Sequence, residues 1–208
     1  MAPFGDVRAV RSVTDKSSCP GVNIVHTPTR CSTLLALLVT VTPLQAQDLE
    51  GVMGDLIRDV ATVESKILGL ARTMPPTVYE WRPAKGVRST GEVFVHIAGD
   101  NYFLPALVGV PAPPETGIDG RDNKTVAAFE ARAMTRDQII AELSKSFAFL
   151  KQAMSGTVDT ALASPPKNSA RKTTVRATWI ATVTHLHEHL GQLIAYARSN
   201  DITPPWSK

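Results

Sequence analysis

Four histidines beyond residue 46 are the side chains with the clearest chemical potential: His96, His185, His187 and His189. Three of them fall in the pentapeptide His185-Leu186-His187-Glu188-His189. On a helix, residues four apart point the same way, so His185 and His189 can reach one metal ion, as the H-x-x-x-H pair of helical zinc sites does. His187 lies about 200° around the helix from His185 and faces elsewhere. Two ligands on one helix make a weak site, so a third has to come from another helix. His96, among Val93, Ile97 and Ala98, is the one histidine left to supply it. The alternative is that His96 is a hydrogen-bonded core histidine and the triplet is polar surface sequence.

Three neutral imidazoles suit zinc, nickel or iron(II) better than magnesium or calcium. Three histidines with no fourth side chain leave room for water, which is the layout of catalytic zinc sites. Several polar residues lie within a turn of the ligands. Glu92 and Asp100 flank His96 at four residues on either side, and either carboxylate could close the shell. Asp100 or Glu188 could also orient a ligand histidine from outside. Gln192, one turn after His189 (three residues on), is a candidate polar group lining the pocket. No nucleotide-binding loop, serine-centred motif or phosphate-binding glycine run is present, so catalytic residues and substrate stay unnamed.

These residues need helices to hold them. Four segments carry helical periodicity and none carries strand alternation. The first spans about residues 48–74, with Leu49, Val52, Met53, Leu56, Val60, Val63, Ile67 and Leu70 as its apolar stripe, and ends at Pro75-Pro76. The second begins at a capping box, Ser89-Thr90-Gly91-Glu92, and Pro105 should kink or end it. The third begins at another, Thr135-Arg136-Asp137-Gln138, and stops at Gly156. The fourth spans about residues 174–200, with Trp179, Val183, Leu186, Leu190, Leu193 and Ala197 on one face. The expectation is an all-α four-helix bundle. The Pro- and Gly-rich connection over residues 110–134 is long enough to cross the bundle from end to end.

Ahead of the bundle, residues 29–48 have the three-part layout of a cleavable secretory signal. Arg30 is a positive flank, Leu34 begins an apolar run reaching Val41, and Leu44-Gln45-Ala46 is a small-residue cleavage pattern after Pro43. The run falls short of the ~20 residues a membrane span needs, so no stable anchor is expected. A buried helix of the fold is the competing reading. Residues before about 22 fit no part of such a signal; initiation near Val22 or Val25, or an unstructured tail, would account for them. The expected organisation is an N-terminal extension plus signal over residues 1–46 and a metal-binding domain over residues 47–208, exported to the periplasm or secreted. Cleavage would remove Cys19 and Cys31, leaving no thiolate ligand and no disulfide.

The chain has 22 Lys+Arg against 19 Asp+Glu, and the leader holds more of the bases than of the acids. The domain is therefore nearly neutral, with no basic run to bind nucleic acid. The expected partner is a small-molecule substrate, and a homodimer stays open.

Several motifs in order resemble the DinB-like family of four-helix-bundle metalloproteins, over about residues 48–207. They are Trp81-Arg82-Pro83-Ala84, Gly91-Glu92-Val93-Phe94-Val95-His96-Ile97-Ala98, and His185-x-x-x-His189-x-Gly191-Gln192, followed by Tyr196, Arg198, Asn200, Ile202 and Pro204-Pro205-Trp206-Ser207. The resemblance implies an up-down-down-up bundle and one metal held by His96, His185 and His189. It gives His187 no role. Asp201 stands where relatives commonly have glycine, at a position expected to need a left-handed backbone. Some family members resemble metal-dependent transferases using small thiols, others look like hydrolases. The implied function is a metal-dependent hydrolase or transferase acting on a small substrate; the alternative is a non-enzymatic exported metal-binding or stress-response protein. Export weakens the thiol version, because such thiols are kept mainly inside cells.

Overall fold

Helices form wherever the apolar periodicity has a cap to start it and a breaker to stop it, and here they form two more than the periodicity shows. A computed structural model describes residues 51–207, and the expected export segment lies outside them. The helices are α1 (Gly51–Thr73), α2 (Pro76–Tyr79), α3 (Thr90–Leu107), α4 (Lys124–Glu130), α5 (Arg136–Ser155) and α6 (Val175–Ser199). No β-strand occurs among the described residues. The count is six rather than four. The extra helices, α2 and α4, have four and seven residues, too short to show a repeat of 3.6.

Cross-helix contacts set the directions of the four long helices. Arg136, at the start of α5, donates to the carbonyls of Arg72 and Met74 at the end of α1, and Lys151 pairs with Glu64, so α1 and α5 are antiparallel. Gly91 at the start of α3 and Ile139 at the start of α5 line one cavity, and Asn101 bonds Ser146 farther along, so α3 and α5 are parallel. Asp59 meets His187, and Gly69 meets Pro205 just beyond α6, so α1 and α6 are parallel. The order is up, down, down, up. The α3–α5 pair requires the chain to return about 27 Å, the length of an 18-residue helix. The long Pro- and Gly-rich connection does this, and α4 lies on it.

The caps act as their sequences require. Ser89 Oγ accepts from Glu92 N, and Glu92 Oε2 accepts from Ser89 N at 2.6 Å. Thr135 and Gln138 repeat the arrangement on α5, and Thr174 caps α6. Pro105 sits two residues before the end of α3 and ends it rather than kinking its middle. Asp201, with φ of 58°, is the one non-glycine residue at positive φ among the described residues. It ends α6 at the position where the left-handed turn was expected.

The core between the four helices is continuous. Val60, Val63, Ile67 and Leu70 of α1 meet Phe147 and Leu150 of α5 and Trp179, Leu186 and Leu193 of α6, all fully or almost fully buried. The buried face of α1 begins at Met53 and Ile57; Val52, placed in the stripe by spacing, is 41% exposed. No described helix is long and apolar enough to cross a membrane.

One close approach matters to the site. Gly99 of α3 faces Phe129 and Val126 of α4, and a Cβ there would come within 3.3 Å of the Phe129 ring. The missing side chain lets α4 settle on α3, which brings Glu130, the last residue of α4, alongside His96. Gly99→Val should therefore push α4 outward. We expect a loss of about 1–3 kcal/mol on thermal or urea unfolding, as for other overpacked cores. An unchanged midpoint would mean that α4 is not held by this contact.

Candidate metal centre

The antiparallel contact of α3 and α6 brings His96 opposite His185 and His189. The three rings stand edge-to-face around one point. Their centroids are 4.4 Å apart for His185–His189, 4.7 Å for His96–His189 and 5.2 Å for His96–His185, with interplanar angles of 76–85°. One nitrogen from each lies within 4.8 Å of the others, so the trio could hold a metal ion.

Hydrogen bonds on the outer edges of the rings decide which nitrogens face inward. His96 Nδ1 donates to Glu130 Oε1 at 2.6 Å, which leaves Nε2 with its lone pair. His189 Nδ1 donates to Gln192 Oε1 at 2.8 Å, which does the same. His185 Nε2 is buried and makes no hydrogen bond, although Asp100 Oδ2 lies 2.8 Å away: the pair is close but not aligned. A buried imidazole nitrogen without a partner is costly unless something else fills the place. The donor set therefore fits a divalent transition metal: three inward nitrogens, two rings fixed by outer acceptors, and one nitrogen otherwise unsatisfied.

Those outer acceptors converge on one residue. Arg88 donates to Glu130 Oε2 at 3.1 Å. Its backbone carbonyl accepts from Tyr196 Oη, which in turn accepts from Gln192 Nε2 at 2.9 Å. The Trp81 ring packs edge-on against Tyr196 at 5.2 Å and steadies it. Burial of Glu130 opposes its ionisation, but the hydrogen bond from His96 and the Arg88 guanidinium outweigh that and hold its carboxyl below the usual range. An ionised Glu130 can only accept, which fixes the His96 tautomer.

His189 shows the electrostatics of the cluster. Burial pushes its pKa down to about 4, the charges of His185 and His96 act in the same sense, and the Gln192 bond offsets part of the shift. It is neutral at physiological pH, as a ligand must be.

The other residues singled out by spacing are placed differently. Asp100 is at the centre, 2.8 Å from His185 Nε2 and 3.4 Å from His96 Nε2. Gln192 orients His189. Glu92 is committed to the α3 cap and to Arg82, which holds both its oxygens at 3.1 Å, so it lies outside the histidine cluster. That pairing, together with the cap, lowers its pKa. It lines a neighbouring cavity of about 450 Å³ that Glu130 also borders. Glu188 is exposed on α6. His187 points away, as its phase requires, and meets Asp59 of α1 at 3.0 Å. Glu130 was missed: it is 34 residues from His96 in a segment without periodicity, and nothing local marks it.

Two outcomes test this geometry. His96→Ala, His185→Ala and His189→Ala should each sharply reduce the metal found by elemental analysis after matched purification, and His187→Ala should not. The metal-free protein should also be acid-sensitive. Unfolded, His189 takes up its proton near pH 6.5; folded, only near 4. The stability this confers is complete above 6.5 and is lost as pH falls from there toward 4. His189→Ala should flatten the pH dependence of the urea midpoint in that window.

No curated protein matches the chain. A DinB-like protein from Bacillus subtilis is 17% identical with a TM-score of 0.55, covering 72% of this chain and 93% of its own. A DinB-like protein from Bacillus cereus is 14% identical with a TM-score of 0.60, covering 76% and 97%. At such identities the likeness is one of fold. Residues 60–193, a span that includes all three histidines of the cluster, match the sequence profile of the DinB superfamily, and the chain belongs to that superfamily.

Proposed function

We propose that this protein is a metal-dependent hydrolase or group transferase acting on a small substrate, with one zinc, nickel or iron(II) ion held by His96, His185 and His189. The observation that carries the reading is the buried, unbonded Nε2 of His185, facing two rings whose outer nitrogens are tied down. The side chains around this point are not sealed off: His185 is 24% exposed and His96 12%. A small molecule can approach. A purely structural site would be expected to be closed by four protein ligands and buried.

When bound, such a metal supplies Lewis-acid chemistry and lowers the pKa of water that it coordinates. The chain's own residues do the rest. Glu130 and Gln192 hold two imidazoles in the ligating tautomer. Arg88 and Tyr196 hold Glu130 and Gln192. Among the described residues, Asp100 is the one carboxylate within 3.4 Å of the inner nitrogens, where it can accept a proton or touch the metal.

The second reading is a non-enzymatic metal-binding protein, and the observation favouring it is Asp100 itself, which crowds the one position three histidines leave free. Turnover separates the two. Metal-loaded protein would be assayed against a panel of small esters, amides and lactones, and against thiol-dependent transfer, beside His185→Ala purified in parallel. The enzyme reading expects turnover that follows the metal content and disappears in the variant. Full metal occupancy with no turnover on any class would favour the carrier.

We also propose that the protein is exported, on the strength of Arg30, the apolar run beginning at Leu34, and Leu44-Gln45-Ala46. In a Gram-negative host the product should be shortened to begin near Gln47 or Asp48. N-terminal sequencing that found intact Met1 in a cytoplasmic product would remove this part of the proposal.

A further inference from the structure

We infer that Asp100 is a fourth protein ligand of the metal, its Oδ2 completing a set of three nitrogens and one oxygen with His96, His185 and His189. The inference rests on the reading of the three histidines as a metal site and goes further by naming what occupies the next position.

Three observations support it. The first is spacing. Ligand atoms bonded to one ion at about 2.0–2.1 Å stand about 2.9 Å apart at right angles and about 3.4 Å apart at the tetrahedral angle. Asp100 Oδ2 is 2.8 Å from His185 Nε2 and 3.4 Å from His96 Nε2. These two separations are those that a shared ion would set between its ligand atoms.

The second is misalignment. At 2.8 Å an imidazole N–H aimed at a carboxylate would make a strong charge-assisted bond, yet His185 Nε2 makes none. The two atoms are near each other without a hydrogen bond between them, as two donors to one ion would be.

The third is what Asp100 lacks. Its side chain is only 16% exposed, and no lysine or arginine among the described residues pairs with it. A half-buried carboxylate with imidazole nitrogens on one side and a Glu130 carboxylate oxygen within 4.8 Å, and no cationic side chain on it, calls for a cation. Glu130 differs in this respect. Although it lies within 4.8 Å of Asp100, one of its oxygens is taken by His96 Nδ1 and the other by Arg88, which meets its charge. Glu130 acts through His96, whereas Asp100 reaches the ion itself.

The consequence is chemical. The carboxylate brings a negative charge to an otherwise neutral ligand set, and it extends the range of suitable metals toward manganese(II) and iron(II), which accept oxygen donors readily. It also takes one position in the shell, so a substrate or water would enter from the exposed side as a fifth ligand, an expansion that catalytic zinc sites undergo.

The test uses the purified full chain, stripped of metal and reloaded with cobalt(II), as wild type, Asp100→Asn, Asp100→Ala, Glu130→Gln and His185→Ala. Circular dichroism checks that each is folded; Asp100→Asn keeps the side chain's size. Affinity is read by competition with a chromogenic chelator, and the ligand field by the visible cobalt spectrum with and without azide. Both Asp100 variants should bind cobalt about 10- to 100-fold more weakly, the range seen when a residue supporting a metal is lost. Their cobalt bands should shift, and azide should perturb them at lower concentration than it perturbs wild type. Glu130→Gln should weaken binding without moving the bands. Cobalt bound equally well, with the same spectrum and azide response, in wild type and Asp100→Ala, but lost in His185→Ala, would overturn the inference and leave the three-histidine site standing. No cobalt binding by wild type would overturn both.

Discussion

Three imidazole rings from two antiparallel helices share one point, and every ring nitrogen turned toward it must be kept free of its own proton. The rest of the site follows from that constraint. A neutral histidine carries one proton on either nitrogen, and nothing intrinsic to the ring puts it on the outer one. An acceptor on the outer edge does. Glu130 and Gln192 are those acceptors for His96 and His189, and each is itself held in place. Burial assists by keeping His189 uncharged where solvent would let it protonate.

The supports are distributed across the fold in an economical way. Arg88 stands immediately before the Ser89 cap of α3, so the same few residues that start the helix also anchor the site. Its side chain reaches forward to Glu130 while its carbonyl reaches back, through Tyr196, to Gln192 on α6. The cap, the ligand on α3 and the orienting groups from α4 and α6 are thus mechanically linked. His187 and Asp59 add a separate tie between α6 and α1 on another face, one with no connection to the centre.

Topology matters for the same reason. Parallel α3 and α5 oblige the intervening chain to travel back along the bundle, and on the way it lays α4 across α3 at Gly99. A short hairpin between α3 and α5 would have left no element to carry Glu130. The long connection therefore serves the site as well as the path of the chain.

The sequence by itself determined the parts that depend on local periodicity: the four long helices, their capping boxes, the left-handed turn at Asp201 and the opposite phases of His185/His189 and His187. These follow from 3.6 residues per turn and from short-range hydrogen bonds, which neighbours in sequence settle among themselves. It also singled out His96, Asp100 and Gln192, because a turn of helix places a residue next to its neighbour three or four positions away. Tertiary structure alone decided the remainder. It separated Asp100 from Glu92, two carboxylates equally spaced from His96, by giving Glu92 to Arg82 and the cap and leaving Asp100 facing the rings. It supplied Glu130 from a seven-residue helix with no readable pattern, and it left His185 Nε2 without a partner. Such choices rest on which surfaces meet when helices pack, and packing joins residues far apart in sequence that carry no local mark of the contact.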